Sequence, residues 1–445
     1  MSHRAADLIQ PVAALLLGCA RLAACTLPQP DGVEAEIAAR SAGLPALTPG
    51  ESEDAGSVVR NGLLHHPGVR EAASRVLASA DEVRVQRAVL FPALGLSLGG
   101  GVGDAGRGEP ALELSGRQMI LDSGNARRAI TSADIDLQIN YIAFQKAVDD
   151  AVIEVLEAYD TVHMYDRLLV VRRNQLAAMR GLEGLVAERS AAGAAAVPDL
   201  LETRKRLQAA EFLVHDTDLM LAEARDRLAR LGGQFRGGEL PVLDSACTGP
   251  TVSDDLRMAQ LRLVKADLDL ERAERARQPR IFLSPIARHQ SGQGGVGLGL
   301  NLGVDSDLLQ GGALTARANA ARNAGDGARA GVEAADRNAD LDERALRRNI
   351  AAATRRTEML NRQIALLTET RGLYRSQYFD LGTRQLSELL DNEEEFYNRQ
   401  AELIELRSAQ AMSRLECAAR DRSLRDVMGL TGASLYGFPL TPEDI

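Results

Sequence analysis

The chain has 445 residues, of which 45% are hydrophobic and 3% aromatic, and its formal net charge at pH 7 is -10. This acidic balance argues against a nucleic-acid partner, because counterion-release binding needs a basic face. The sequence has no run of about 18 or more apolar residues, so it predicts no membrane-spanning helix and excludes a polytopic helical transporter.

The N-terminus has the pattern of an export signal covering residues 1–25. Arg4 supplies the positive charge, and the apolar core over residues 11–18 is too short to span a bilayer. Small residues before Cys19 and before Cys25 suggest two lipoprotein-type cleavage sites, of which the Cys25 site is favoured. The attached lipid would anchor the mature N-terminus to one leaflet. An ordinary secretory signal without lipid is the alternative.

Two further cysteines, Cys247 and Cys417, form an even pair in a chain that is expected to leave the cytoplasm. Disulfides persist in oxidising compartments, so a bridge between these two residues is one hypothesis. Two buried thiols are the other.

An internal repeat organises the rest of the chain. Three landmarks recur in the same order and with a nearly constant offset: Phe91-Pro92 with Gln278-Pro279, Asp122-Ser123-Gly124 with Gln310-Gly311-Gly312, and Gly193 with Gly382. Self-similarity of this kind indicates a tandem duplication. The resulting segments are an N-terminal extension (26–54), repeat 1 (55–235), a linker (236–251), repeat 2 (252–432) and a C-terminal tail (433–445).

Each repeat has the same predicted plan: a helix of about 30 residues, two short glycine-rich strands, a helix of nearly 70 residues, a turn and a returning helix. The predicted strands cover residues 93–102, 111–120, 281–289 and 295–304. Their apolar residues alternate with small or polar ones over about 10 residues, which is the pattern of a barrel strand between lipid and water. A soluble hairpin is the alternative.

The long helices carry heptad spacing, which predicts coiled-coil packing. The apolar positions are Val148, Val155, Val162, Leu169 and Leu176 in one helix, and Leu200, Leu207, Val214, Leu221 and Leu228 in the next. The small residues Thr203, Ala210, Thr217 and Ala224 allow close helix approach. A helix over residues 125–189 would extend about 100 Å, which indicates a tube or a rod.

At this point the sequence resembles the TolC family of outer-membrane factors over residues 57–432. The resemblance rests on the repeat itself and on five short segments: Leu64-His65-His66-Pro67, Phe91-Pro92, Leu121-Asp122-Ser123-Gly124, Tyr378-Phe379-Asp380-Leu381-Gly382-Thr383-Arg384 and Leu389-Leu390-Asp391.

The resemblance implies a mostly α-helical fold with a membrane β-barrel. The tandem-duplicated hairpins of three protomers would form a periplasmic tube, and each protomer would add four strands to a shared 12-stranded barrel in outer-membrane lipid. Its partners would be two further copies, a periplasmic adaptor (membrane fusion protein), and an inner-membrane pump or ABC exporter. The function would be an exit duct for small molecules such as drugs.

The resemblance also assigns roles at the helix-to-helix turns. The expected adaptor-docking tips are Gly193, Ala194, Leu381, Gly382 and Thr383, and the glycines should end helices in the left-handed conformation. The expected periplasmic gate consists of Arg384, Asp199, Phe379, Glu388, Asp391 and Glu202. In a three-fold tube each acidic residue becomes a ring of carboxylates that favours cations, and an Arg384–Asp199 pair would hold the tube closed.

Catalytic and metal-binding patterns are weak. Gly292 to Gly297 match G-x-G-x-x-G, but this segment leads into a predicted strand and not a helix, which argues against dinucleotide binding. His65 and His66 are adjacent and diverge on a helix, and Glu393 to Glu395 are interpreted as a solvated helix face. We therefore expect no enzymatic activity, cofactor or metal.

Three other functions stay open. The outer-membrane component of a type I protein secretion system is nearly as well supported as drug efflux. A periplasmic adaptor and a structural coiled-coil rod are more distant, because neither should have two hairpins that are each preceded by strand pairs.

Overall fold

The computed structural model describes residues 31–99, 102–103, 106–107, 111–233, 235–241, 243, 247, 253–290, 296–306 and 311–442. The expected signal segment, with Cys19 and Cys25, lies outside the described residues. Within the described ranges, none of the helices is both long and apolar enough to cross a membrane.

The first repeat and the extension before it are mainly helical. Their helices in chain order are α1 (Val33–Ser41), α2 (Ala55–His65), α3 (Pro67–Ala88), α4 (Asn125–Ala191) and α5 (Val197–Gly232). The second repeat has α6 (Asp254–Arg275), α7 (Ala313–Phe379), α8 (Leu386–Arg420) and the short α9 (Leu424–Val427). The long helices α4 and α7 each have 67 residues, so each extends about 100 Å, as predicted.

The prediction of a single opening helix of about 30 residues is wrong in both repeats. In repeat 1 the helix is interrupted at His66, which is extended at φ -68° and ψ 118°. Pro67 disfavours the helical conformation of the residue before it, and then starts the next helix at its first position. In repeat 2 the corresponding helix, α6, has only 22 residues.

The strands of both repeats join in one antiparallel sheet with the order β1-β4-β5-β6. These strands are β1 (Ala93–Gly99), β4 (Ala111–Leu121), β5 (Arg280–Gln290) and β6 (Val296–Asp305). Two small hairpins complete the described strands: β2 (Val102–Gly103) with β3 (Gly106–Arg107), and β7 (Ser434–Leu435) with β8 (Phe438–Pro439). The repeats therefore meet at the β4–β5 pair, and β1 and β6 are the two edges of the four-stranded sheet.

The two faces of this sheet differ in polarity. The register aligns Leu96 with Leu114, Leu114 with Ala287 and Ala287 with Leu298, so these residues share a face. Leucines along this face are more than half exposed: Leu94, Leu96, Leu98, Leu298, Leu300 and Leu302. The opposite face carries ion pairs between Arg117 and Asp305 at 3.1 Å and between Arg288 and Glu113. The alternation read from the sequence is thus a real division into an apolar and a polar face.

The four long helices pack side by side in the order α5, α4, α8 and α7, and α6 packs on α4 and α7. The predicted heptad positions from Val148 to Leu176 on α4 are all buried. The small residues on α5, from Thr203 to Ala224, are buried as well. Most of the core lies where α2, α3 and the tail pack on α4. There the buried Arg425 binds both carboxylate oxygens of Asp149, at 2.7 and 2.8 Å.

The structure joins Cys247 and Cys417 in a disulfide with Cα atoms 5.1 Å apart, the pairing hypothesised from the sequence. Both residues are buried. The bridge attaches the linker to α8, and the Nε of Arg347 on α7 donates to the carbonyl of Cys247 at 2.7 Å. The linker is therefore fixed to both helices of the second hairpin.

Candidate gate at the helix-to-helix turns

The turn between α4 and α5 ends the first long helix in a Schellman arrangement. Gly193 adopts φ +74°, in the left-handed region as predicted. Its N–H donates to the carbonyl of Ser190 at 3.0 Å, and the N–H of Ala194 donates to the carbonyl of Arg189 at 2.8 Å. These bonds satisfy helix-end carbonyls that would otherwise lack partners.

The turn between α7 and α8 satisfies its helix-end carbonyls with different bonds. Gly382 adopts φ +64°. The N–H of Leu381 donates to Ser376 at 3.2 Å, and that of Thr383 donates to Gln377 at 3.0 Å. All five residues predicted as docking tips, in both turns, are exposed. The side chain of Leu381 is 67% exposed, so the end of this hairpin presents an apolar group to solvent.

Arg384 does not pair with Asp199 within the single chain, so this pair stays a prediction for the assembled tube. Its Nη1 donates to Glu388 at 2.5 Å and its Nε donates to Gln377 at 3.0 Å. Its guanidinium lies 3.8 Å from the centroid of the Tyr374 ring. Glu388 is one helical turn away, so this pair forms with less loss of side-chain freedom than a pair to the other hairpin. The Asp199 carboxylate has no ion pair with any residue that the structure describes.

Arg189 also connects the two hairpins at their ends, a role that the sequence pattern does not predict. Its Nη1 donates to the carbonyl of Phe379 at 2.8 Å. Its guanidinium lies 5.4 Å from the Tyr378 ring centroid and 5.9 Å from that of Phe379, within the range of cation–π attraction. Burial raises the pKa of Tyr378, and the nearby Asp199 raises it further. Phe379 is therefore part of a contact between α4 and α7, through its ring and its backbone.

Two predicted gate residues from different repeats meet at a second missed cation, Arg206 on α5. Its guanidinium binds Glu202 at 3.0 Å on its own helix and Asp391 at 3.0 Å on α8, and it also contacts Glu394. The hydrogen bond from Arg206 is the main cause that lowers the pKa of Glu202. The i,i+4 spacing of Glu202 and Arg206 was the available signal. We call Arg206, Glu202, Asp391 and Glu394 the inter-hairpin cluster.

The acidic residues in the first turns of α8 thus occur with arginine partners. Glu388, Asp391 and Glu394 are regularly spaced along the helix, and each contacts either Arg384 or Arg206. The interpretation of residues 393 to 395 as a solvated face is wrong for Glu393. Its side chain is 5% exposed and lies 2.7 Å from Arg371, whose guanidinium lies 4.2 Å from the Phe396 ring centroid. Carboxylates at this end of the second hairpin are therefore largely charge-compensated in the single chain.

Comparison with known proteins gives the class of this fold. The structure resembles the outer membrane protein VceC of Vibrio cholerae, with a TM-score of 0.73, 17% identity, and coverage of 84% of this chain and 96% of that one. The CmeC outer membrane channel of Campylobacter jejuni gives a TM-score of 0.72 at 12% identity, with 87% of each chain covered. The MtrE outer membrane channel of Neisseria gonorrhoeae gives 0.69 at 16% identity, covering 90% of this chain and 95% of that one. The fold is that of the outer-membrane channels.

A sequence match agrees with this fold. Residues 58–234 match the model of the outer membrane efflux protein family, and no curated protein matches the chain. The matched segment is almost the whole of repeat 1, and the structural likeness extends through repeat 2. Repeat 1 thus matches the outer membrane efflux protein family, the whole chain has the fold of the outer-membrane channels, and the resemblance noted from the sequence is confirmed.

Proposed function

We propose that the chain forms the outer-membrane exit duct of a tripartite export system, in which small molecules such as drugs pass from an inner-membrane pump and a periplasmic adaptor to the outside. The observation that carries this proposal is the combination, in one chain, of an apolar-faced sheet with two open edges and a pair of hairpins that each contain a helix about 100 Å long. Anchoring through a lipid on Cys25 or Cys19 belongs to the same proposal.

The sheet supports assembly with further copies. An open edge strand presents unpaired N–H and C=O groups, and a membrane sheet satisfies all of them only by closing. Here β1 and β6 are both edges, and their exposed leucines lie on one face. Three copies joined from β6 to β1 would close a barrel with leucines outside and the Arg117–Asp305 and Arg288–Glu113 pairs inside.

The helices support the same assembly independently. Helices α5 and α7 are the two ends of the helix layer, and each has an exposed apolar stripe. On α5, Phe212 and Leu219 are 68% and 63% exposed. On α7, Leu366 and Met359 are 63% and 67% exposed.

The two stripes lie at similar heights above the turns. At the rise of an α-helix, Phe212 and Leu219 are about 23 Å and about 33 Å from the start of α5. Leu366 and Met359 are about 20 Å and about 30 Å from the end of α7. Helix α5 of one copy could therefore pack on α7 of the next, with the stripes in contact.

Charges beside these stripes are complementary. Asp216 and Glu223 accompany the stripe on α5, whereas Arg362 and Arg355 accompany the stripe on α7. None of these four side chains forms an ion pair with any residue that the structure describes. The two acidic residues lie about 29 Å and about 39 Å from the start of α5, and the two arginines about 26 Å and about 36 Å from the end of α7. A head-to-tail interface of this kind closes into a ring when the rotation between copies allows it.

In the proposed duct, the turns are the periplasmic end. The exposed tips at Gly193, Ala194, Leu381, Gly382 and Thr383 would dock the adaptor. The gate would be held by the contacts between hairpins, namely Arg189 with Phe379 and the inter-hairpin cluster. Opening would move the α7–α8 hairpin away from the α4–α5 hairpin, so it would have to break both contacts.

Planar-bilayer recording on the purified, detergent-extracted full chain tests the proposal. The expected result is a trimer in solution with a small, cation-selective conductance. Cations should be favoured because the predicted gate has four acidic residues and one arginine. Protein that is shown to be folded and inserted into lipid but gives no conductance would refute the duct and favour the adaptor or rod.

A further inference from the structure

A cavity of about 270 Å³ lies between α4, α8 and the linker, far from the turns. Its α4 wall includes Asp160, which lies about 45 Å before the end of the helix at Ala191. The proposed gate and the sheet therefore do not account for it. Three arginines line this cavity: Arg167 from α4, and Arg407 and Arg414 from α8.

Arg167 and Arg407 are exposed at the rim of the cavity and Arg414 is half-buried, and none of the three has an ion pair or hydrogen bond with any residue in the described part of the chain. Elsewhere on α8 the arginines that lie between helices are paired: Arg399 binds Glu402, and Arg420 lies 3.6 Å from Glu343. Guanidinium groups carry five donors in a planar fork that suits carboxylates and phosphates. Three such groups around one cavity provide more positive charge than the chain itself compensates.

A histidine supplies an independent observation. His163 lines the same cavity, and its Nε2 is buried without a hydrogen-bond partner among the described residues. A buried polar nitrogen without a partner is uncommon in native structures, so this ring has hydrogen-bonding capacity that the described chain leaves unused. The adjacent Asp160 is not that partner, and its Oδ2 accepts a hydrogen bond from the Ser408 hydroxyl. Burial raises the pKa of Asp160, and the nearby carboxylate of Glu239 raises it further.

The remaining walls suit an organic molecule and not only an inorganic ion. Met164, Leu240 and Ile404 contribute apolar surface, and Glu239 is the second carboxylate that lines the cavity. The cavity is close to the lower end of the range for small-molecule sites. The linker that forms one wall is fixed to α8 by the Cys247–Cys417 disulfide, so this wall is preformed.

We propose that this cavity binds a small organic anion, with its carboxylate or phosphate group held by Arg167, Arg407 and Arg414. The bound molecule would place its apolar part against Leu240 and Ile404. This site lies about 45 Å from the turns, and its ligand would be additional to the exported molecules.

Isothermal titration calorimetry on the full chain in detergent tests the proposal with three probes at matched ionic strength: inorganic phosphate, citrate and hexanoate. We expect saturable binding of at least one probe. Loss of one charge-assisted hydrogen bond weakens binding by about tenfold or more, so Arg407→Gln and Arg414→Gln should each reduce the affinity by that factor. The control is Arg70→Gln, which changes an exposed arginine on α3 outside the cavity and should leave the affinity unchanged.

The three probes also distinguish recognition of the anionic group from recognition of the apolar part of the ligand. Binding of phosphate or citrate alone supports recognition of the anionic group, and tighter binding of hexanoate supports a contribution from the apolar wall. The proposal is overturned if no probe binds saturably. It is equally overturned if the folded Arg407→Gln/Arg414→Gln double variant binds as tightly as the unaltered chain.

Discussion

Helices α4 and α7 occupy corresponding positions in the two repeats and have the same length, yet their surroundings differ. Of their 67 residues, α4 buries 26 and α7 buries six. The cause is their place in the layer, because α4 lies between α5 and α8 while α7 is at its end. Duplication has therefore produced one helix adapted to the protein interior and one that keeps an apolar stripe at the surface. This asymmetry is what a head-to-tail interface requires, because α7 can then meet α5 of another copy.

The largest expected effect concerns the buried helix. Leu156 on α4 is fully buried, whereas Leu341 on α7 is 59% exposed. We expect Leu156→Ala to lower the free energy of unfolding by about 2–5 kcal/mol, since it removes buried methyl groups and leaves a cavity. Leu341→Ala should change it by less than about 0.5 kcal/mol. Denaturant unfolding of both variants measures this difference, and equal losses would contradict the contrast between the helices.

The next largest expected effect is the loss of stability when the disulfide is removed, because the bridge fixes the linker between the repeats to the second hairpin. Replacing both Cys247 and Cys417 by serine should lower the free energy of unfolding by about 2–4 kcal/mol. Mass spectrometry after alkylation without reductant provides the chemical check. Alkylation of both cysteines in the native, unreduced protein would show that the bridge is absent, and the stability loss should then disappear as well.

Weakening the inter-hairpin cluster should increase conductance. Exposed ion pairs contribute about 0.2–1 kcal/mol each, so Arg206→Ala should favour opening by roughly 1 kcal/mol per chain, or about fivefold in the ratio of open to closed states. Planar-bilayer recording measures this change.

A matched control for this variant is Arg204→Ala. Arg204 is a neighbouring cation whose partner Glu183 lies 3.0 Å away on α4, within the same hairpin. Similar conductance in both variants would show that the connection between hairpins has no special role.

The sequence was sufficient for the features that repeat along the chain. Strand alternation, the heptads from Val148 to Leu176 and the positive-φ glycines at both turns depend on local periodicity and backbone conformation, and the structure confirms them. The side-chain partners at the turns could not be predicted in this way. Arg206 meets Asp391, and Arg189 reaches Phe379, each across nearly half of the chain. Such contacts depend on how the hairpins pack, which periodicity does not specify.

The exposed charges between copies should have a smaller effect. Like charges that face each other cost roughly as much as an exposed ion pair gains, about 0.2–1 kcal/mol. We therefore expect Glu223→Arg to weaken the trimer modestly, because it would face Arg355 of the next copy, and the Glu223→Arg/Arg355→Glu double variant to restore it. Analytical ultracentrifugation at low ionic strength measures the association. A double variant that is weaker than either single variant would contradict this pairing.

The smallest expected effect is a dependence of gating on pH. The folded-state pKa of Glu202 lies below its usual value, mainly because of the hydrogen bond from Arg206. A carboxylate with a lowered pKa stabilises the folded arrangement above its unfolded pKa, and this contribution is lost as the pH falls through the folded value. Conductance should therefore increase below about pH 4, and Glu202→Gln should show an increase already at about pH 7 with a smaller further change in acid.

The matched variant for this prediction is Glu211→Gln, which removes the pair with Arg180, 3.1 Å away, within one hairpin. Since that pair does not cross between α5 and α8, its loss should leave the pH dependence as it is in the unaltered chain. An identical response in the two variants would mean that the acid sensitivity arises elsewhere than at the contact between the two repeats.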